Sequence, residues 1–173
     1  MIPEIDAKFR TISNRDGRAV IGDSMGGYGA LKFGIKYPQM FALAASWSGG
    51  VNIASWRKPS DISFNVPGIK EFLTSVFGDG TNPATLEAND IFKLIKDVPN
   101  AQIESLPFFY LDCGTEDELD LLKPNQQLAE IMLNRKIRHE FRQVPGKHTV
   151  QLYRLGDVLE LSDRIFANKF RKN

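Results

Sequence analysis

The residues best suited to carry chemistry lie close together near the start of the chain, in the pattern Gly22-x-Ser24-x-Gly26. A short apolar run precedes this pattern and a helical pattern follows it, so the segment predicts a tight turn from a strand into a helix. Such a turn exposes the Ser24 hydroxyl as a nucleophile, and the amide of Met25 would face the oxyanion that develops during attack on a carbonyl. The glycines would let strand and helix approach closely. A Gly/Ser loop that merely begins a helix would show the same five residues.

A nucleophilic serine needs a base, and the sequence offers two histidines. His148 follows a predicted strand through Pro145-Gly146-Lys147 and immediately precedes the last predicted helix, at the strand end that would face the serine. His139 begins the same strand, at the opposite edge of the sheet, and we expect it to be structural or solvent-exposed. The sequence therefore predicts His148 as the base, although a polar residue that caps the last helix would occupy the same place.

The third partner would be a carboxylate that orients the imidazole. The loop after the third predicted strand holds four candidates, which are Glu116, Asp117, Glu118 and Asp120, and Asp112 precedes them. Most of these carboxylates would be solvated loop charges. Residue types and spacing alone leave the choice among them open.

Predicted strands and helices alternate along the chain and would position these residues. The predicted strands cover residues 18–23, 41–47, 107–113 and 139–144. The predicted helices cover residues 4–12, 26–37, 86–96, 124–136 and 150–170. In the last helix we expect an inner stripe of Leu155, Val158, Leu159, Ser162, Ile165 and Phe166. The alternation predicts an α/β fold with a mainly parallel sheet covered on both faces.

Composition suits a single globular domain and excludes several classes of function. The 173 residues are 42% hydrophobic, which allows a substantial core. Basic and acidic residues nearly balance, 22 against 21, so no charge footprint indicates nucleic acid or an anionic membrane surface. No apolar segment is long enough to cross a bilayer. The single cysteine, Cys113, rules out an internal disulfide and is expected to be buried, and two histidines without cysteine partners predict no metal site.

Several short motifs occur in a fixed order along nearly the whole chain. They are Gly22-Asp23-Ser24-Met25-Gly26-Gly27-Tyr28-Gly29-Ala30-Leu31, Tyr37-Pro38, Phe41, Ser46-x-Ser48-Gly49, Phe77-Gly78-Asp79, Asn89-Asp90, Leu106-Pro107, Cys113-Gly114-Thr115-Glu116-Asp117-x-Leu119 and Val144-Pro145-Gly146-Lys147-His148. In this order they resemble the esterase D / tributyrin-esterase-like branch of the α/β-hydrolases, which includes S-formylglutathione hydrolases and feruloyl and acetyl-xylan esterases. The resemblance implies Ser24, Asp117 and His148 as a catalytic triad and the amide of Met25 as an oxyanion donor. It favours Asp117 as the acid, with Glu116 and Asp120 as fallbacks.

On this resemblance we expect an α/β-hydrolase-type sheet and a serine carboxylesterase that hydrolyses short acyl or aryl esters through an acyl-enzyme, without a metal or organic cofactor. Residues 1–173 would form a single catalytic domain, the C-terminal portion of the family's fold. Residues 51–85 lack a clear period and are rich in aromatic side chains, so we expect an excursion over the active site with an apolar pocket. The expected partner is a small-molecule ester.

The chain departs from the resembled family in three places. Asp23 and Lys147 stand where relatives often carry other residues, and both would alter the charge around His148. Relatives also carry an N-terminal section with several strands, one of whose loops supplies a second oxyanion amide. Here the chain begins at the helix before the nucleophile strand.

An open edge at residues 18–23 would follow from that truncation, and we expect it to make the chain a homo-oligomer. The alternative function is a non-catalytic or weakly active hydrolase fragment that self-associates, its oxyanion hole incomplete. The sequence indicates no compartment, and we expect a cytoplasmic protein if residue 1 is the native start.

Overall fold

Four parallel strands form the centre of the structure, a computed structural model that describes residues 1–55, 67–79, 81–148 and 152–170. The strands are β1 (Ala19–Asp23), β2 (Leu43–Trp47), β3 (Phe108–Gly114) and β4 (His139–Val144). They lie side by side in chain order, with Ala45 of β2 opposite Ile21 of β1 on one side and Tyr110 of β3 on the other. The prediction of a mainly parallel sheet is confirmed, and the carboxyl ends of these strands lie at one edge.

Helices connect the strands. They are α1 (Ile2–Lys8), α2 (Met25–Lys36), α3 (Ile69–Phe77), α4 (Pro83–Glu87), α5 (Ile91–Asp97), α6 (Leu122–Asn134) and α7 (Leu152–Phe170), with short 3-10 turns at Arg15–Gly17, Ile53–Ser55 and Asn100–Ser105. Of the excursion predicted over 51–85, residues 56–66 and residue 80 lie outside the described residues. Within the described ranges, none of the helices combines the length and the apolar character needed to cross a membrane.

The helices cover both faces of the sheet because side chains alternate along each strand. On one face, Ala44 and Phe109 pack in a core with side chains of α2, α5 and α6. On the other face, Ala45 and Tyr110 pack against Val158 of α7. The sheet is therefore the middle of three layers, as the alternation of elements predicts.

Among the strands that the structure describes, β1 pairs with β2 alone and lies at the edge of the sheet. Ser24, just after β1, donates its N–H to the Trp47 carbonyl of β2, so the even-numbered residues of β1 direct their backbone groups towards β2. The N–H and C=O groups of Ala19 and Ile21 therefore point to the open side. Within the described residues, no backbone hydrogen bond reaches them there.

Two predicted helices differ from the structure. α1 ends at Lys8, before residue 12, and the Thr11 hydroxyl donates to Asp6 at 2.7 Å, which holds the following segment in a turn. The helix predicted over 86–96 is divided into α4 and α5. The division occurs because the Asp90 carboxylate accepts two first-turn N–H groups and so begins a new helix.

The inner stripe predicted for the last helix is wrong at two positions. Leu155 and Leu159 are 39% and 55% exposed, whereas Arg154 is 1% exposed. The face of α7 that packs on the sheet passes instead through Arg154, Val158, Leu161, Ser162 and Ile165. A charge can lie on this face because it forms an ion pair with Asp112 of β3, a pairing that hydrophobic periodicity does not reveal.

Candidate active site

Ser24 lies in a strained turn between β1 and α2. Its φ of 54° falls in the left-handed region, which residues other than glycine rarely occupy. Backbone hydrogen bonds hold the turn: the Ser24 N–H donates to the Trp47 carbonyl at 2.8 Å, and the Ser24 carbonyl accepts from Tyr28 and Gly50 at 3.0 and 3.1 Å. Strand and helix together thus fix the hydroxyl at the carboxyl edge of the sheet.

The turn has no room for a side chain at Gly22 or Gly27, whereas Gly26 has room for one. A Cβ on Gly22 would overlap the Gly26 carbonyl, and a Cβ on Gly27 would overlap the Ser46 hydroxyl of β2. A Cβ on Gly26 would meet nothing beyond its own helix. The expectation that Gly26 must lack a side chain is therefore wrong, because this exposed residue does not face the sheet.

The structure brings Ser24, His148 and Asp117 together from the carboxyl ends of β1, β4 and β3. Ser24 Oγ lies 2.9 Å from His148 Nε2, and His148 Nδ1 lies 3.0 Å from Asp117 Oδ2. An ionised carboxylate can only accept, so Nδ1 carries the proton of the neutral ring and Nε2 is left to accept from the Ser24 hydroxyl. An imidazole in this arrangement can remove the serine proton.

The local charges favour an imidazolium beside a carboxylate. The hydrogen bond with Asp117 raises the pKa of His148 above its ordinary value, against the effect of burial, and the charges of Asp117, Asp23 and Glu118 add to the rise. Burial alone would raise the pKa of Asp117, but hydrogen bonds from His148 and the Leu119 N–H outweigh it, so the pKa is lowered. Asp117 is therefore ionised at neutral pH and stabilises the charge that His148 acquires with a proton.

Asp117 is the buried carboxylate of the acid loop, residues 114–121. Its side chain is fully buried, and it accepts from the Leu119 N–H at 2.9 Å and from the Cys113 thiol at 3.5 Å. Burial and the Asp117 charge raise the pKa of Cys113 to about 12, so the thiol stays neutral and acts as a donor. Glu116 and Asp120 are exposed, and their carboxylates make no hydrogen bond within the described residues. In those residues no group of His, Cys, Asp and Glu could hold a metal ion.

The chain is similar to several known proteins. Residues 1–155 match the family model Esterase, described as "Putative esterase". The chain belongs to this esterase family. The resemblance drawn from the order of the motifs, from the Ser24 segment to the His148 segment, is thereby confirmed.

Three similar proteins are considerably longer than this family member. The esterase Rv1288 of Mycobacterium tuberculosis is 33% identical over 160 residues, which is 86% of the chain and 34% of that protein. The structure of a ferulic acid esterase is 25% identical with a TM-score of 0.71, over 95% of the chain and 58% of the other. An S-formylglutathione hydrolase from Staphylococcus aureus shares the fold at 22% identity, with a TM-score of 0.67 over 95% and 60%. The chain thus spans about a third of its curated relative.

Two charged side chains beside the site, those of Arg154 and Glu118, are not indicated by the sequence motifs. Arg154 of α7 donates to the Asp112 carboxylate and, at 3.2 Å, to the Ser48 hydroxyl, which ties α7 to the ends of β2 and β3. Glu118 accepts the backbone N–H of His148 at 3.0 Å. A signal exists in the sequence for Asp112, which interrupts an otherwise apolar strand, but Arg154 lies in a helix with several other charged residues. No comparable signal marks Glu118 among four neighbouring carboxylates.

Proposed function

We propose that the chain is the catalytic part of a serine carboxylesterase that acts on short acyl or aryl esters through an acyl-enzyme. The observation that carries this proposal is the pair of hydrogen bonds that runs from Ser24 through His148 to the buried Asp117. Membership of the esterase family supports ester hydrolysis, and the similarity to a ferulic acid esterase supports an aryl ester. Residues 1–173 would act as one catalytic domain on a small-molecule ester, without a cofactor.

In the proposed reaction, Ser24 Oγ attacks the ester carbonyl carbon while His148 Nε2 takes the hydroxyl proton. The carbonyl oxygen becomes an oxyanion beside the Met25 N–H, which begins α2 and so has no intrahelical acceptor. His148 then gives its proton to the leaving alcohol, and the acyl group remains on Ser24. Water then attacks the acyl carbon while His148 takes a proton from the water. The bond between the acyl carbon and Ser24 Oγ breaks, His148 returns the proton to Oγ, and the acid is released. Asp117 holds the imidazole in the required tautomer throughout.

The proposed preference for apolar substrates rests on the aromatic excursion over residues 51–85. Phe77 is 5% exposed and packs edge-to-face on Tyr28, with ring centroids 5.9 Å apart, so it belongs to the core rather than to a pocket. Phe72 of α3 is exposed, while Trp56 and Phe64 lie outside the described residues. The aromatic character of the segment and the named ferulic acid esterase together support the substrate class.

Labelling by a fluorophosphonate probe tests the nucleophile. We expect the chain to be labelled at Ser24, because a base and its orienting carboxylate lie in line behind the hydroxyl. Ser24→Ala and His148→Ala should each abolish labelling, measured by gel fluorescence and by mass spectrometry of the labelled peptide.

Ser75→Ala is the matched control, because Ser75 lies on α3 and its hydroxyl only donates to the Phe72 carbonyl of its own helix. This variant should be labelled like the parent chain. Labelling that persists in Ser24→Ala would refute the proposed function. So would a parent chain that reacts neither with the probe nor with p-nitrophenyl esters.

The open edge of β1 favours the second candidate, a weakly active fragment that self-associates. Among the described residues, no backbone partner reaches the outward groups of Ala19 and Ile21. Exposed Phe33 of α2 and exposed Tyr37, which follows α2, border an open cavity of about 610 Å³ next to the same strand. An edge of this kind pairs readily with a second edge, and two identical edges meet around a two-fold axis. We propose that two copies associate in this way. Loss of one oxyanion donor lowers kcat about 10²–10³-fold, so a chain that relies on Met25 alone would be weakly active.

Association is tested with Ala19→Pro. Proline removes the outward N–H of this edge residue and leaves the hydrogen bonds between β1 and β2 in place. The preceding residue, Arg18, already has the extended backbone that a residue before proline requires, with φ −119° and ψ 132°. We expect the parent chain to be dimeric or larger by light scattering at micromolar concentration, and Ala19→Pro to be monomeric. A monomeric parent chain would rule the association out.

A further inference from the structure

The acid loop is hydrogen-bonded to the end of β4 and to the base loop, residues 145–148. Thr115 donates its N–H to the Val144 carbonyl at 2.8 Å, and Glu116 donates its N–H to the Gly146 carbonyl at 2.9 Å. Gly114 has no space for a Cβ, which would overlap the carbonyls of Gly146 and Lys147. The two loops therefore lie in direct backbone contact, and this contact sets the distance between the acid and the base.

Glu118 adds a side-chain contact at the base itself. Its carboxylate accepts the His148 N–H at 3.0 Å, and this hydrogen bond is the main reason that the pKa of Glu118 is lowered. The carboxylate is therefore charged at neutral pH, and a charged acceptor makes a stronger hydrogen bond than a neutral one. The contact fixes the backbone of the one residue whose ring must reach both Ser24 and Asp117.

We propose that Glu118 is a positioning residue for the base, which holds the His148 backbone so that the imidazole reaches Ser24 and Asp117 together. The inference rests on the proposed function, because it assigns a role relative to the base of that reaction. Glu118 contacts the backbone of His148 rather than the imidazole ring or the Ser24 hydroxyl. Small displacements of a catalytic group lower rates steeply, by about 10²-fold for 1 Å, and a loop with one anchor fewer leaves the imidazole free to move.

The charge of Glu118 has a second measurable effect, which is on the pKa of His148. Asp117 and Glu118 from the acid loop and Asp23 from β1 all raise the pKa of His148, while burial opposes them. Lys147 of the base loop lies close enough to Glu118 to lower its pKa. Removing the Glu118 charge leaves the effects of Asp117 and Asp23 in place and lowers the pKa of His148. Because the base must be neutral to act, the acid limb of the rate profile then moves to lower pH.

Two variants separate the hydrogen bond from the charge. Glu118→Gln keeps an oxygen acceptor of equal reach and loses the charge, whereas Glu118→Ala loses both. With p-nitrophenyl acetate, we expect Glu118→Ala to lower kcat about 10–100-fold while KM and the melting temperature stay unchanged. Glu118→Gln should restore most of kcat at its plateau and shift the acid limb of kcat/KM to lower pH. Glu116→Ala, which removes an exposed carboxylate two residues away, is the control and should match the parent chain.

Failure of this inference is distinguishable from failure of the proposed function. If Ser24→Ala is inactive but Glu118→Ala has the kcat of Glu116→Ala, Glu118 is only a solvated loop charge. If Glu118→Gln loses as much kcat as Glu118→Ala without a shift of the acid limb, the hydrogen bond to the His148 backbone does not explain the loss, and the positioning role is overturned. If Ser24→Ala retains esterase activity, the proposed function itself fails, and the role of Glu118 fails with it.

Discussion

Replacing Asp117 by Asn is expected to lower kcat about 10⁴-fold while the fold stays intact. The Asp117 carboxylate accepts from His148 Nδ1, which leaves Nε2 without a proton and ready to take one from Ser24. An amide NH₂ at the same place donates to Nδ1 and so favours the opposite tautomer, with the proton on Nε2. That ring cannot act as a base. Steady-state kinetics with a p-nitrophenyl ester measures the loss, and circular dichroism checks the fold.

Glu116→Gln and Asp120→Asn are the matched controls for Asp117→Asn. Both positions lie in the acid loop, both carboxylates are exposed, and Asn tolerates the left-handed backbone of Asp120, where φ is 56°. Each control should keep kcat close to that of the parent chain. A larger loss at either position than at Asp117 would move the acid there and contradict the geometry of the site.

Replacing Arg154 by Met is expected to destabilise the fold by about 3–5 kcal/mol, because removal of one partner of a buried ion pair leaves the other charge unpaired. The Arg154 side chain is 1% exposed and that of Asp112 is fully buried. At about 2–4 °C per kcal/mol for a chain of this size, the melting temperature should fall by roughly 10 °C. Thermal unfolding followed by circular dichroism measures the change.

Lys93→Met is the matched control, because Lys93 forms a surface ion pair with Asp97 at 2.8 Å in which both side chains are well exposed. Its melting temperature should stay close to that of the parent chain, because exposed ion pairs contribute little to stability. The double variant Arg154→Met/Asp112→Leu should recover much of the stability lost in Arg154→Met, since no buried charge remains. Equal melting temperatures for Arg154→Met and Lys93→Met would show that the buried pair contributes little.

Much of the sheet could be predicted, because the candidate site residues directly follow strands that can be recognised in the sequence. An apolar strand that ends at Ser24 and another that ends before His148 must bring their following loops to the same edge of a parallel sheet. That constraint also separates His148 from His139, which lies at the other end of β4. The placement of these residues could therefore be predicted without any distance information.

The choice among the acid-loop carboxylates could not be derived in this way. Asp117 differs from Glu116 only in being buried against Cys113 and the Leu119 N–H, and burial depends on contacts across the fold. The same reason explains the error at Leu155 and Leu159. Hydrophobic periodicity considers only apolar side chains, whereas the buried face of α7 includes the charged Arg154, which pairs with Asp112 of β3.

The strands follow one another across the sheet in the order in which they occur along the chain. Among these four strands, each can therefore dock on the edge left free by the one before it as synthesis proceeds. Ser24 follows the first strand, whereas His148 follows the last. During such growth the serine turn can form before β4 has docked, and the Ser24 hydroxyl gains its hydrogen bond to His148 only when β4 is in place.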